Sequence, residues 1–107
     1  MTTPEGGRKH LHQRVEFWSA RLKSQPVLVR VQPMVRKWGS CSVRGTITLA
    51  DDLADQPDGF QDFVIVHELL HLRVPTHGRL FKALMTTYVP DLRRYDAMRL
   101  RCLAGRA

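Results

Sequence analysis

Val66-His67-Glu68-Leu69-Leu70-His71-Leu72, followed after Arg73-Val74-Pro75-Thr76 by His77, decides how the rest of this chain is read. On a helix, His67 and His71 stand four residues apart on one face, so both imidazoles reach a single metal ion. Glu68 sits one step round, beside such an ion rather than on it, where its carboxylate takes a proton from a water that the ion activates. Pro75 disfavours helical geometry at Val74, which ends the helix and lets the chain swing His77 back toward the pair. Two ligands from a helix and one from the following turn leave a coordination position open, as a catalytic zinc requires.

The surrounding residues Phe60, Phe63, Val64, Ile65, Val66, Leu69, Leu70 and Leu72 leave this helix little polar face, so it belongs in the interior. Buried there without partners, two histidines and a glutamate would be costly, and a metal relieves that cost directly. Asp58 with Gln61 three residues on has the form of a capping box and predicts a helix start near Gly59, with the end near Arg73. A zinc that only staples a small fold usually closes all four positions with protein ligands, mostly thiolates. Cys41 is the candidate for that closure, although its Gly-Ser-Cys-Ser setting reads equally as a packed turn.

Outward from this helix the pattern is ordinary. Residues 1–9 carry Thr, Pro, Gly and charge without a period and read as a flexible tail, leaving 10–107 as one domain. From His10 to Ser24, Leu11, Val15, Trp18 and Leu22 fall at helical spacing, with Trp18 as a core anchor and His10 and His12 as solvated side chains. Pro26 ends that helix. Val27, Val29 and Val31 then alternate with Leu28, Arg30 and Gln32, and Pro33 marks this strand as an edge or the site of a bulge. Thr46 to Leu49 alternate in the same way after the Val43-Arg44-Gly45 turn signal, which predicts a hairpin and a small antiparallel sheet. Leu80, Phe81, Leu84, Met85 and Tyr88 share a face of a third helix, and a last one from about Pro90 turns Leu92, Tyr95 and Cys102 inward. The fold class is therefore α+β.

At 107 residues the chain fits one domain, and no apolar run approaches the ~20 residues of a membrane span. Its polar start resembles no signal peptide, so a cytoplasmic location is expected and Cys41 and Cys102 are expected as free thiols. A net charge of +7, with Arg93, Arg94, Arg99, Arg101 and Arg106 late in the chain, reads first as a solvated face and second as attraction for an anionic partner.

From about His12 to Gly105 the chain resembles the YgjP-like family of small zinc metallopeptidase-like proteins, related to the SprT and WLM groups of zincins. The resemblance rests on Arg36-Lys37-Trp38-Gly39-Ser40-Cys41-Ser42, on Thr46-Ile47-Thr48-Leu49, on the His67 to His71 motif, on His77 with Phe81, and on Pro90-Asp91. It implies a minimal zincin-like fold, a small twisted sheet packed on helices. It also implies His67, His71 and His77 as zinc ligands, Glu68 as general base, and Trp38, Gly39, Ser40 and Cys41 near the substrate cleft. Two features depart from the family's usual pattern. A short tail stands where a further β-rich region would precede the first helix, and Thr76 and Gly78 flank His77 in place of Asn and Ser.

The chemistry this implies is metal-assisted hydrolysis of a peptide or protein, with Glu68 passing a proton from water to the leaving amine. Tyr88, Tyr95 and a late arginine are the candidates for stabilising the oxyanion, and a substrate strand would add to the sheet edge near Trp38. Two further readings remain open. A zinc-dependent phosphohydrolase would act on nucleotides, and a SprT-like or WLM-like protein would act at nucleic acid.

Overall fold

The computed structural model describes residues 4–99, and its framework is a central buried helix against which the other helices and two of the three strands pack. We number the helices α1 (Pro4–Leu22), α2 (Asp58–His71), α3 (Arg79–Tyr88) and α4 (Leu92–Met98), and the strands β1 (Leu28–Gln32), β2 (Gly39–Cys41) and β3 (Thr46–Ala50). A 3-10 turn at Asp51–Asp55 joins β3 to α2. Helix α2 buries Phe60, Phe63, Val64, Ile65, Val66, Leu69 and Leu70, as its all-round apolarity requires.

Leu11, Val15, Trp18 and Leu22 form the buried stripe of α1, at the spacing read from the sequence. The helix starts at Pro4, six residues ahead of the expected start at His10, so most of the expected tail is helical. Proline costs nothing at a first helical position, where the missing N–H would be unpaired anyway. Gly6 and Gly7 each cost about 1 kcal/mol in a helix relative to alanine, and the packing that buries Gly7 overrides that penalty. Lys23, in the left-handed region at φ 52°, ends the helix, and the Ser24 N–H closes the last turn on the Ser19 carbonyl.

The sheet is mixed, which corrects the antiparallel expectation. Its order is β1-β3-β2: β2 and β3 form the expected hairpin, whereas β1 lies parallel to β3 in the register Leu28↔Thr46 to Gln32↔Ala50. β3 takes the centre because Ile47, Leu49 and Ala50 are all buried, while β1 exposes Leu28, Arg30 and Gln32 and suits an edge. Gly45, at φ 95°, makes the hairpin turn and also accepts a hydrogen bond from the Val27 N–H.

α3 buries Phe81 and Met85 and half-buries Leu84 and Tyr88, but Leu80, expected on that face, is exposed. α4 docks through Leu92 and Tyr95. The Tyr95 ring lies so close to Gly59 that a Cβ there would overlap its hydroxyl and stand 2.6 Å from Cζ, so glycine permits this approach. Cys102 lies outside the described residues, as do Arg101 and Arg106.

Polar groups near the start of α2 are tied to α1 and the 3-10 turn. Gln61 makes no capping box, because α2 begins at Asp58 and Pro57 is its cap. Instead the buried Gln61 amide donates to the Ala54 and Gln56 carbonyls, and its oxygen accepts from His10 Nε2 at 2.9 Å. His10 is thus half-buried and bonded rather than solvated. Beside it Asp62 accepts from Arg14 through both carboxylate oxygens and from Trp18 Nε1, all at 2.9–3.0 Å. Asp62→Ala leaves a partly buried guanidinium and indole N–H without their acceptor. We expect a loss of about 2 kcal/mol, read as a lower urea midpoint at unchanged slope.

Candidate metal centre

α2 delivers His67, Glu68 and His71 to the floor of a cleft of about 560 Å³, which is also lined by Trp38 to Val43 and His77. After His71 the chain leaves the helix: the Arg73 and Val74 N–H groups both close on the Leu70 carbonyl, and Pro75 prevents continuation. That turn carries His77 over His71, with the two Nε2 atoms 2.7 Å apart. One donor atom from each of His67, His71 and His77 falls within 4.8 Å of the others, the one such group among the described residues. A tetrahedral zinc with Zn–N bonds of about 2.0–2.1 Å spaces its donors by roughly 3.3–3.4 Å, which lies between those two separations. The donor set fits a divalent metal.

Protonation favours the same conclusion. Burial, followed by the charge of His67, holds the His71 imidazole below its ordinary range. Burial also lowers His77, helped by His67 and Arg99. Both rings are therefore neutral near pH 7, the state in which imidazole offers a lone pair to a metal. His67 Nδ1 lies 3.2 Å from Glu68 Oε2 and donates to it in the tautomer that leaves Nε2 as the lone-pair nitrogen.

Phe81 of α3, 3% exposed, packs against all three imidazoles, with ring centroids 5.2 Å from His67, 4.6 Å from His71 and 4.8 Å from His77. This ring fixes the orientation of the triad. Sequence reading placed Phe81 only on a helix face and within the family pattern; its position ten residues after His71 was the available signal. Arg36, Lys37 and Arg99 also line the cleft; in the sequence Arg36 and Lys37 stand only within the family pattern, and Arg99 only as one of several late arginines.

The expected substrate segment Trp38, Gly39, Ser40 and Cys41 lies along the cleft as β2 and the residue before it. Cys41 is a free cysteine whose Sγ donates to the Ser42 carbonyl at 3.6 Å, and it stays outside the histidine group. Burial first, and the Glu68 charge second, raise its thiol pKa, which disfavours the thiolate a zinc ligand needs. Of the candidates for oxyanion stabilisation, Tyr88 packs on Trp18 and Tyr95 on Phe60 and Phe63, and neither lines the cleft; Arg99 does.

The model of the YgjP-like, metallopeptidase domain family matches residues 4–99, and the chain belongs to that family. Among solved structures, it is similar to the metallopeptidase zymogen of Pyrococcus abyssi abylysin, with a TM-score of 0.72 at 22% identity over 82% of this chain and 90% of that one. At that identity the likeness establishes a shared α+β fold. No curated protein matches the chain significantly. The family and the three-histidine group together define a metallopeptidase-like domain able to bind a metal ion.

Glu68 owes its seat to Gly39. A Cβ at Gly39 would stand 3.1 Å from Glu68 Cγ, 3.1 Å from Val64 Cγ1 and 3.3 Å from Leu49 Cδ2, tighter than side chains ordinarily pack. Val64 and Leu49 are buried and have little room to yield. Gly39→Ala should cost about 1–3 kcal/mol in denaturant unfolding. Combined with Val64→Ala, which removes one crowded methyl, it should cost less than the sum of the two single changes; strict additivity would show that the crowding is not there.

Proposed function

We propose that this chain is a zinc-dependent peptidase in which His67, His71 and His77 hold the ion and Glu68 is the general base. The observation that supports this best is the convergence of three imidazoles beside a buried carboxylate on the floor of an open cleft. When bound, zinc supplies a Lewis acid that polarises a carbonyl and acidifies water. Glu68 accepts the proton of the attacking water on its carboxylate and returns it to the leaving amine nitrogen. β2 is an outer strand with one unpaired side, and along Gly39–Cys41 it offers backbone groups to an extended peptide. A cytoplasmic setting belongs to this reading, in keeping with the free thiol of Cys41.

Hydrolysis of nucleotides is the second reading, favoured by the cationic residues at the cleft. Action at nucleic acid has the net charge of +7 and the resemblance to the SprT and WLM groups behind it, and no feature of the cleft. Arg93 and Arg94 are exposed on α4, and Arg99 is turned to the cleft. Among the described residues no helix is long and apolar enough to cross a membrane.

Two substitutions separate the assigned roles. Glu68→Gln should keep one zinc per chain and lose hydrolysis of a peptide pool by about 10²–10⁴-fold, because an amide accepts no proton from water. Loss of zinc from that variant would make Glu68 a ligand instead. His77→Ala should release zinc to a chelator that leaves the parent loaded, and should lower the Tm of the zinc-loaded protein by several degrees. Unchanged zinc content after dialysis against that chelator would point to a different third ligand.

A further inference from the structure

Charge is distributed unevenly around the cleft. Arg36 and Lys37, from the connection ahead of β2, and Arg99, at the end of α4, all line it. Of the chain's ten acidic residues, only Glu68 does. The others fall on α1 (Glu5 and Glu16), on the 3-10 turn and early α2 (Asp51, Asp52, Asp55, Asp58 and Asp62), and around α4 (Asp91 and Asp96). Arg36 and Lys37 are exposed and have no ion-pair partner among the described residues. Arg99 is half-satisfied by Asp96 at 2.6 Å, in a pair whose side chains are both about half exposed, so a substrate anion competes for it in a screened and weak contact.

This arrangement differs from a merely basic surface. Two segments more than sixty positions apart in sequence place their cations at one cleft, with the zinc-site histidines at its floor and no carboxylate on its rim. Glu68 is buried, so among the chain's own charged groups Arg36, Lys37 and Arg99 dominate the field at the mouth, adding to that of a bound metal ion. Walls of low dielectric focus that field and concentrate ligands of opposite sign. An extended peptide lying along Gly39–Cys41 shares the cleft with Arg36 and Lys37, which come just before β2 in the chain, so its side chains are the groups able to meet those charges.

We propose that the cleft selects peptides with acidic side chains flanking the bond to be cut, recognised by Arg36 and Lys37 on the β2 side and by Arg99 from α4. This rests on the peptidase reading above for the reaction, but the recognition itself is measurable without turnover. Three peptides of one sequence, N-acetylated and C-amidated so that no terminal charge contributes, carry Glu, Gln or Lys at the flanking positions. Their affinities for zinc-loaded Glu68→Gln protein are read by fluorescence anisotropy.

The Glu peptide should bind about tenfold more tightly than the Gln peptide, with the Lys peptide weakest. The gap should close as salt rises from about 0.01 M to about 1 M and the screening length shrinks from about 30 Å to about 3 Å. Arg36→Gln with Lys37→Gln should reduce the Glu-to-Gln ratio, Arg99→Gln should reduce it further, and Arg36→Glu with Lys37→Glu should put the Lys peptide first. Equal affinities for the three peptides, or a Glu preference that survives removal of all three cations, would overturn the proposal. So would hydrolysis by the parent protein of a nucleoside triphosphate but of none of the peptides, with the triphosphate displacing the Glu peptide, because the cations would then serve phosphate. Equal affinities with all three peptides cleaved would overturn the selectivity alone and leave the peptidase reading standing. A retained Glu preference with no peptide and no nucleotide cleaved would do the reverse.

Discussion

The structure depends on one constraint: α2 is buried, yet its sequence carries Gln61, Asp62, His67, Glu68 and His71. Each of these groups loses water on folding and must regain a partner from an element packed against the helix. α1 supplies His10 to Gln61 and Arg14 with Trp18 to Asp62. The 3-10 turn and the residue that follows it supply the Ala54 and Gln56 carbonyls to Gln61. β2 comes close enough over Glu68 only because Gly39 has no side chain. The turn before α3 brings His77 to His71, and α3 itself brings Phe81 under all three rings. Packing and polar satisfaction therefore select the same arrangement, so the site is part of how the domain closes.

That coupling explains which parts were legible in the sequence. The histidine motif, the buried stripe of α1 and the hairpin of β2 and β3 are set by spacings of a few residues, and such local patterns survive folding. The parallel pairing of β1 with β3 was not legible, because alternation in Val27 to Gln32 reports two faces and nothing about the neighbour. Gln61 misled for a related reason. Its spacing from Asp58 mimics a cap, but a nearly inaccessible amide bonds to whatever carbonyls the tertiary structure brings, here those of Ala54 and Gln56. His10 and residues 4–9 followed the same rule in reverse: weak local propensity was overridden once α1 found α2 to pack on. Phe81 and the cleft cations come from segments distant in sequence, and only the fold places them beside the histidines.

The site residues differ in how firmly they are held. His67 and His71 ride on a helix fixed by neighbours on several sides, and Glu68 is pinned between that helix and β2. His77 sits on an exposed turn whose ring contacts are His67, His71 and Phe81. As a candidate ligand set, the three histidines comprise two preorganised members and one that is ordered by the contacts it makes. Binding energy from a metal would then be spent chiefly on the turn at 73–78, since the helix is already in place.

Gly39 packs on Glu68 and Phe81 on the three histidines, and the requirements of the two contacts are opposed. On the β2 side the backbone must approach α2 closely, which demands the smallest residue and leaves a short strand with a free outer edge. On the α3 side the three imidazoles need a broad, apolar floor, which a buried aromatic ring provides and a small residue would not. Gly39 lines the cleft together with Arg36, Lys37 and Arg99, whereas Phe81 packs on the histidines without lining it. Close packing at Gly39 thus seats Glu68 in the cleft while the Phe81 ring seats the histidines beside it, so the smallest residue and a large aromatic one are both needed to assemble one site.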